Sequence, residues 1–448
     1  MIVFIFTSLI LIYILSNFIP TAFFSYSIGI LSIIAIFISI RKARGLYFIS
    51  GICFLFTGSF LFIFSDLPWY SFFLYFESML GVLALFLVLP FINSLIHIGR
   101  YDKNLSLLLQ KGITRLSQLY RRSFILTHFL GLFLNIATLP LLKSSLDKTM
   151  QQLPKSRSDK YYAQNLLRGY ALCLTWSPLE IMVITSLDIT NFSYIYIFPI
   201  LLTIVLLVIL SDWILSYFKY RNITIVIEAK AEVSLRKIVI KIAEMLLLLL
   251  TLVLLVTVVQ YMLNKGFLFS IVIVIIPFSI IWASVFRKGK RYVSIAIPTW
   301  KKRTNGLSNF FFMFLSAGLF VEMLSLTQQL YFLETMFRTL SNNMLLFYIS
   351  IGGYFLFTAF MGFHPLVSLT LLSELLQPIL FDVSSLSLAI VLISCSLATV
   401  MYSPYNVSVS ILAEQLKLNP YKMGMWNIPF AIFYMLLSIS IAYIILYI

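Results

Sequence analysis

Two serine–proline pairs interrupt long apolar runs: Ser177-Pro178 in ALCLTWSPLE, Ala171 to Glu180, and Ser403-Pro404 in ATVMYSPYN, Ala398 to Asn406. A proline inside a helix removes one backbone hydrogen bond and clashes with the turn before it. Without water, the freed backbone groups need other partners. A half-helix N-terminus attracts anions, and freed carbonyls can hold cations. Each break is therefore a candidate ion or substrate site, with the hydroxyls of Ser177 and Ser403 and the amide of Asn406 as neutral ligands. A second polar set precedes each break. Asn135 and Thr138 lie in LNIATLP, with Asn135 placed 42 residues before Ser177; His364 and Ser368 lie in GFHPLVS, with His364 placed 39 residues before Ser403.

Glu180 is the one carboxylate inside either break; the matching position in the second break is Asn406. A carboxyl at membrane depth is costly and by default functional. It could carry a coupling proton or bind a cation. Arg168 lies twelve residues earlier, about 18 Å along a helix at 1.5 Å per residue, too far to pair with it. His364 can change charge near neutral pH, since free histidine titrates at ~6.5. Glu77 and Glu322 also fall in apolar runs and rank below Glu180. Neither a phosphate-binding glycine loop nor a catalytic triad spacing is present. Cys53, Cys173 and Cys395 stand apart in apolar segments. His97 and His128 flank the first polar set on its basic side, so neither a metal site nor a disulfide is expected.

The elements that must position these groups follow from composition. Of 448 residues, 61% are hydrophobic and 11% charged, with mean hydropathy +1.01. Uncharged runs long enough to cross ~30 Å of hydrocarbon recur along the chain. The fold class expected is an all-α polytopic membrane protein. Residues 1–19 lack the basic start and small-residue cleavage site of a secretion signal and read as a retained first span. Further spans are expected at 21–40, 46–64, 69–93, 166–190, 192–218, 238–262, 267–286, 307–327, 384–412 and 425–447. The net charge of +16 does not imply nucleic acid, because the basic residues sit in short loops between spans.

Two apolar pieces remain, 124–142 and 344–382. If both enter and leave on one side, 30 of the 32 Lys and Arg fall in loops on the N-terminal face, with Lys265 and Arg338 as the exceptions. Cytoplasmic loops carry that excess. That excess makes 124–142 a hairpin; for 344–382 two full spans would preserve orientation equally, and it is Gly352, Gly353, Gly362 and His364-Pro365 that suit a hairpin from outside. The reading is about eleven transmembrane helices plus two re-entrant hairpins, the N-terminus cytoplasmic and the C-terminus external. After an extra first helix (1–20), the chain divides into a first repeat (21–218), a cytoplasmic linker (219–237) and a second repeat (238–448). The hairpins open to opposite sides, which makes an inverted-topology repeat. Paired helix interruptions in inverted halves point to a transport site.

This layout resembles the ion transporter superfamily over residues 21–447. It is most similar to the divalent anion/sodium symporters, with the arsenite permeases as a second likeness. The resemblance implies a dimeric scaffold domain and a transport domain moving as an elevator. Those symporters carry a Ser-Asn-Thr triplet at each hairpin tip; here only Asn135 and Thr138 echo it, and the tip around His364 has none. Segments 104–122 and 328–343 have the leucine and aromatic spacing of interfacial helices, which in the symporters link the two domains. The expectation is a secondary active transporter in the cytoplasmic membrane, a homodimer, moving a small anionic or amphiphilic substrate. No cofactor is expected beyond Na⁺ or H⁺ as coupling ion. Alternatives are a lipid-phosphate transporter or flippase, or a membrane-embedded glycan polymerase or ligase. The latter generally needs a large external loop bearing Arg or His, and the external loops here are short.

Overall fold

A computed structural model describes residues 1–99, 113–225 and 235–447. These form twenty α-helices. In chain order they are α1 Ile2–Phe18, α2 Ala22–Ile40, α3 Gly45–Ile63, α4 Leu80–Gly99, α5 Leu116–Leu134, α6 Thr138–Met150, α7 Lys155–Thr175, α8 Ile181–Thr190, α9 Tyr194–Tyr220 and α10 Leu235–Leu263. They continue with α11 Phe267–Val285, α12 Gly289–Asn305, α13 Ser308–Leu326, α14 Tyr331–Leu340, α15 Met344–Met361, α16 Pro365–Leu376, α17 Ser385–Tyr402, α18 Val407–Leu416, α19 Pro420–Met425 and α20 Ile428–Ile445. The only extended pairing among the described residues is one isolated antiparallel bridge, Arg115 with Thr224.

Helix is what these sequences must form. In hydrocarbon only intrasegment hydrogen bonds satisfy the backbone. Nine helical stretches among the described residues are long and apolar enough to cross a bilayer, and the chain is a multi-pass membrane protein.

Several elements depart from the sequence expectation. The run 69–93 is not one helix: a 3₁₀ turn at Trp69–Leu74 is followed by irregular backbone through Met79 before α4 begins. The basic loop 287–306 is largely helical, as α12, with Lys302 and Arg303 in its last turn. Cations there suit the negative end of the helix. The proposed interfacial helix 104–122 lies outside the described residues up to 112, and its residues 116–122 are the start of α5. The helix α7 begins at Lys155, eleven residues before the expected span.

The chain divides into two units, each discontinuous in sequence. Unit 1 comprises Met1–Leu95, Val259–Thr339 and Thr370–Ile379. Within it α13 packs along α3 and α2, and α1 packs on α2 and α12. Aromatic stacking fixes this contact, with Phe48 on Phe312, Phe54 on Phe320 and Phe6 on Phe311. Unit 2 comprises Ile96–Val258, Leu340–Leu369 and Leu380–Ile448. Its centre is α17, every residue of which from Ser387 onward is buried. Around α17 stand α7, α8, α15 and α20.

Candidate functional site

All eight residues singled out around the breaks and tips fall in unit 2. The first polar tip joins two helices. α5 ends at Leu134, a 3₁₀ turn covers Asn135–Ala137, and α6 follows, packed back on α5. Asn135 takes a left-handed backbone, φ +51°, which asparagine tolerates better than most residues. Its Oδ1 accepts a hydrogen bond from the Tyr170 hydroxyl on α7. Thr138 opens α6, fully buried, and its hydroxyl has no partner among the described residues.

The first break runs from Trp176 to Glu180. Pro178 supplies no amide, so the chain leaves α7 through a turn in which the Ser177 amide bonds the Leu174 carbonyl at 3.0 Å. The Ser177 hydroxyl accepts weakly from the Leu179 amide at 3.4 Å. The Trp176 carbonyl is taken by the buried Tyr194 hydroxyl. Glu180 then occupies the N-cap position of α8, its carboxylate facing the Met182 amide without closing a full cap. Tyr170 and Cys173 of α7 lie within electrostatic reach of that carboxylate. Tyr170 therefore links the hairpin tip at Asn135 to the acidic group in the break.

The second break is closed by its own polar groups. The Ser403 hydroxyl donates to the Ala359 carbonyl at 3.0 Å and accepts from the Tyr405 amide at 3.3 Å. Asn406 caps α18, its Oδ1 accepting from the Ser408 amide at 3.1 Å and the Ser408 hydroxyl at 2.8 Å. Ser403 and Asn406 are thus committed to holding the break rather than presented to a ligand. The second tip is tied to the same break. Gly362 ends α15 with φ +101°, and a Cβ there would touch the Tyr405 ring at 3.6 Å. His364 turns its Nδ1 to accept from the Leu366 amide at 3.3 Å. Tyr354 donates to the Ser368 carbonyl at 2.8 Å, while the buried Ser368 hydroxyl has no partner among the described residues. The arms are unequal: α15 has 18 residues and α16 only 12, so α16 is about 18 Å long, too short to cross the hydrocarbon.

The two broken helices meet. α17 lies along both α7 and α8, so it passes the first break, and α18 packs on α6 and α7. Asn427, fully buried before α20, donates to the carbonyls of Ala163 in α7 and Met401 in α17 at 3.1 Å each. Thr175 and Tyr434 share a hydrogen bond of 2.8 Å.

Two features escaped the sequence reading. Arg168 pairs at 2.6 Å with Asp212 of α9, a residue 1% exposed. Its Nε also donates to Asn427 Oδ1 at 2.9 Å, and Tyr120 donates to Asp212 at 2.8 Å. A carboxylate deep in the run 192–218 was the available signal. The second is His128. It is buried in α5 rather than standing at the rim of the hairpin, and its Nε2 accepts from the Trp176 indole at 2.9 Å. The positions 128, 131 and 135 share one face of α5, which would have placed it beside the tip. His97 has no described side chain. Glu77 and Glu322 belong to unit 1, where Glu322 lies within electrostatic reach of Glu77 and Glu374. Among the described residues no cluster of His, Cys, Asp and Glu is arranged to hold a metal ion.

No protein-family model matches the chain, and no curated protein matches it in sequence. Among solved structures it is similar in fold to the YdaH transporter of Alcanivorax borkumensis, whose crystal structure is described as having an unusual topology. The match has a TM-score of 0.57 at 11% identity and covers 88% of this chain and 97% of that one. At that identity the likeness is one of fold. It supports a polytopic helical membrane fold.

Proposed function

We propose that this protein is a secondary active transporter that moves a small organic or inorganic anion across the cytoplasmic membrane by an elevator-type movement. The observation that carries the reading is the crossing of two interrupted helices inside one unit, each tied to its own helical hairpin. Interrupted helices at a repeat interface are how transporters expose backbone dipoles to a substrate. In this reading the pairs α5–α6 and α15–α16 are re-entrant hairpins of an inverted repeat, as in the divalent anion/sodium symporters. Unit 2, together with the remainder of α16, carries the substrate, and the rest of unit 1 is the scaffold through which two copies dimerise. The N-terminus is cytoplasmic and the C-terminus external.

The site is asymmetric. The second break consumes its own polar groups, so the first supplies the chemistry. Glu180 takes up the coupling proton, and Tyr170 relays its state to Asn135 at the tip. Thr138 and Ser368 offer buried hydroxyls without partners among the described residues. Leaving such a group unmatched costs about 1–3 kcal/mol, a cost that a bound ion or substrate removes. The test is uptake of a panel of radiolabelled carboxylates and inorganic oxyanions into proteoliposomes, with Na⁺ and pH gradients imposed separately. Accumulation of at least one anion driven by a pH gradient is expected. Equilibration of the whole panel without accumulation under either gradient would contradict active transport.

A further inference from the structure

A cleft of about 630 Å³ opens beside the first break, walled by α5, α9 and α10. Its lining is aromatic and aliphatic: Phe124 and Phe129, Trp176, Phe198, Trp213 and a row of leucines. Along α9 the lining residues Phe198, Leu202, Leu206, Ile209 and Trp213 recur at three- and four-residue spacing, one stripe of the helix. Seven residues beyond Trp213 the same stripe reaches Tyr220, about 10 Å further at 1.5 Å per residue. There a second cavity of about 340 Å³ is lined, among the described residues, by Ser156, Arg157, Lys160, Lys219, Tyr220 and Ile223, three of them cations and none acidic. The Tyr220 hydroxyl, in a residue 2% exposed, is buried behind the cavity wall without a hydrogen-bond partner among the described residues. The buried Trp213 indole N–H on the same stripe likewise has no partner among them.

We infer that this stripe is a binding site for one anionic membrane phospholipid, its phosphate held at Arg157, Lys160 and Lys219 and an acyl chain lying in the aromatic cleft. The charge is complementary at one end only. The cleft offers an acyl chain a mainly aromatic and aliphatic wall, with no lysine or arginine among its described lining residues to hold a small anion. Basic pockets beside transmembrane helices recognise anionic headgroups in this way. The lipid's tail would then press on Trp176 and Pro178, so its occupancy would report directly on the first break. This site is separate from the Glu180 cluster and does not depend on what the protein carries.

The test uses delipidated full-length protein titrated with phosphatidylglycerol, read by native mass spectrometry, with phosphatidylcholine and inorganic phosphate as comparison probes. Wild type is expected to retain phosphatidylglycerol over phosphatidylcholine. The double variant Arg157→Ala/Lys160→Ala, changed at exposed positions, is expected to bind it about thirtyfold more weakly, from two headgroup cations. Equal retention of both lipids, an undiminished affinity in the double variant, or displacement of the lipid by millimolar inorganic phosphate would each overturn the proposal.

Discussion

At the scale of single residues, the first break is built around Tyr170, whose hydroxyl bonds the tip residue Asn135 and lies within electrostatic reach of Glu180. Tyr170→Phe deletes one side-chain hydrogen bond, a loss of about 1 kcal/mol. Uptake should fall severalfold while the melting temperature in detergent changes little; a wild-type uptake rate would remove Tyr170 from the site. The pair Arg168–Asp212 behaves differently. Arg168→Met leaves Asp212 buried and uncompensated, which costs about 3–5 kcal/mol. The double variant Arg168→Met/Asp212→Leu replaces both charges by apolar groups and should recover most of that loss in a thermal melt. Much of this chemistry was legible in sequence, because Glu180, Asn135 and the Ser-Pro pairs are polar groups in apolar surroundings. What was not legible was who bonds whom. Arg168 was separated correctly from Glu180 by helix rise, but its partner lies 44 residues away on another helix. Ser403 and Asn406 have the composition of ligands and the geometry of caps, a distinction that only the Ala359 and Ser408 contacts make.

At the scale of elements, the hairpin α5–α6 is held against α7 by close approach. A Cβ on Gly131 would lie 2.4 Å from Cys173 Sγ and 3.1 Å from the Tyr170 ring. Gly131→Ala should therefore overpack this contact, at about 1–3 kcal/mol, and displace the tip from the break. Cys173→Ala in the same chain should restore both stability and uptake, because the sulfur is the nearest obstacle. Failure of that rescue would show that the hairpin is not seated on α7 as described. The helices themselves were predictable from apolar runs, and the breaks from proline. The irregular stretch around Glu77 was not, since Trp69 to Leu74 is as apolar as a helix and carries no breaker after Pro68. The helicity of 289–305 was hidden by its charge, which reads as loop although it also fits a surface helix.

At the scale of the whole molecule, the sequence pattern divides the chain in succession, whereas the units interleave: each takes segments from both halves. Periodicity along the chain does not reveal such exchange, because it depends on which helices pack. The hairpin reading makes a topological prediction. Cysteines introduced at Thr114 and Lys148, in a Cys53→Ser background that removes the one exposed native thiol, should both react with an impermeant reagent from the cytoplasmic side. Reaction from opposite sides would mean that α5–α6 crosses the membrane. The account's central claim is that Glu180 couples a proton to movement of the substrate through the first break. Its most direct test is gradient-driven uptake into proteoliposomes by wild type and Glu180→Gln, which keeps the side-chain volume, with Na⁺ present or absent. The account predicts that wild type accumulates substrate under a pH gradient without Na⁺, and that Glu180→Gln loses accumulation yet still exchanges substrate preloaded inside the vesicles. Undiminished pH-driven accumulation by Glu180→Gln, or strict Na⁺ dependence of the wild type, would contradict it.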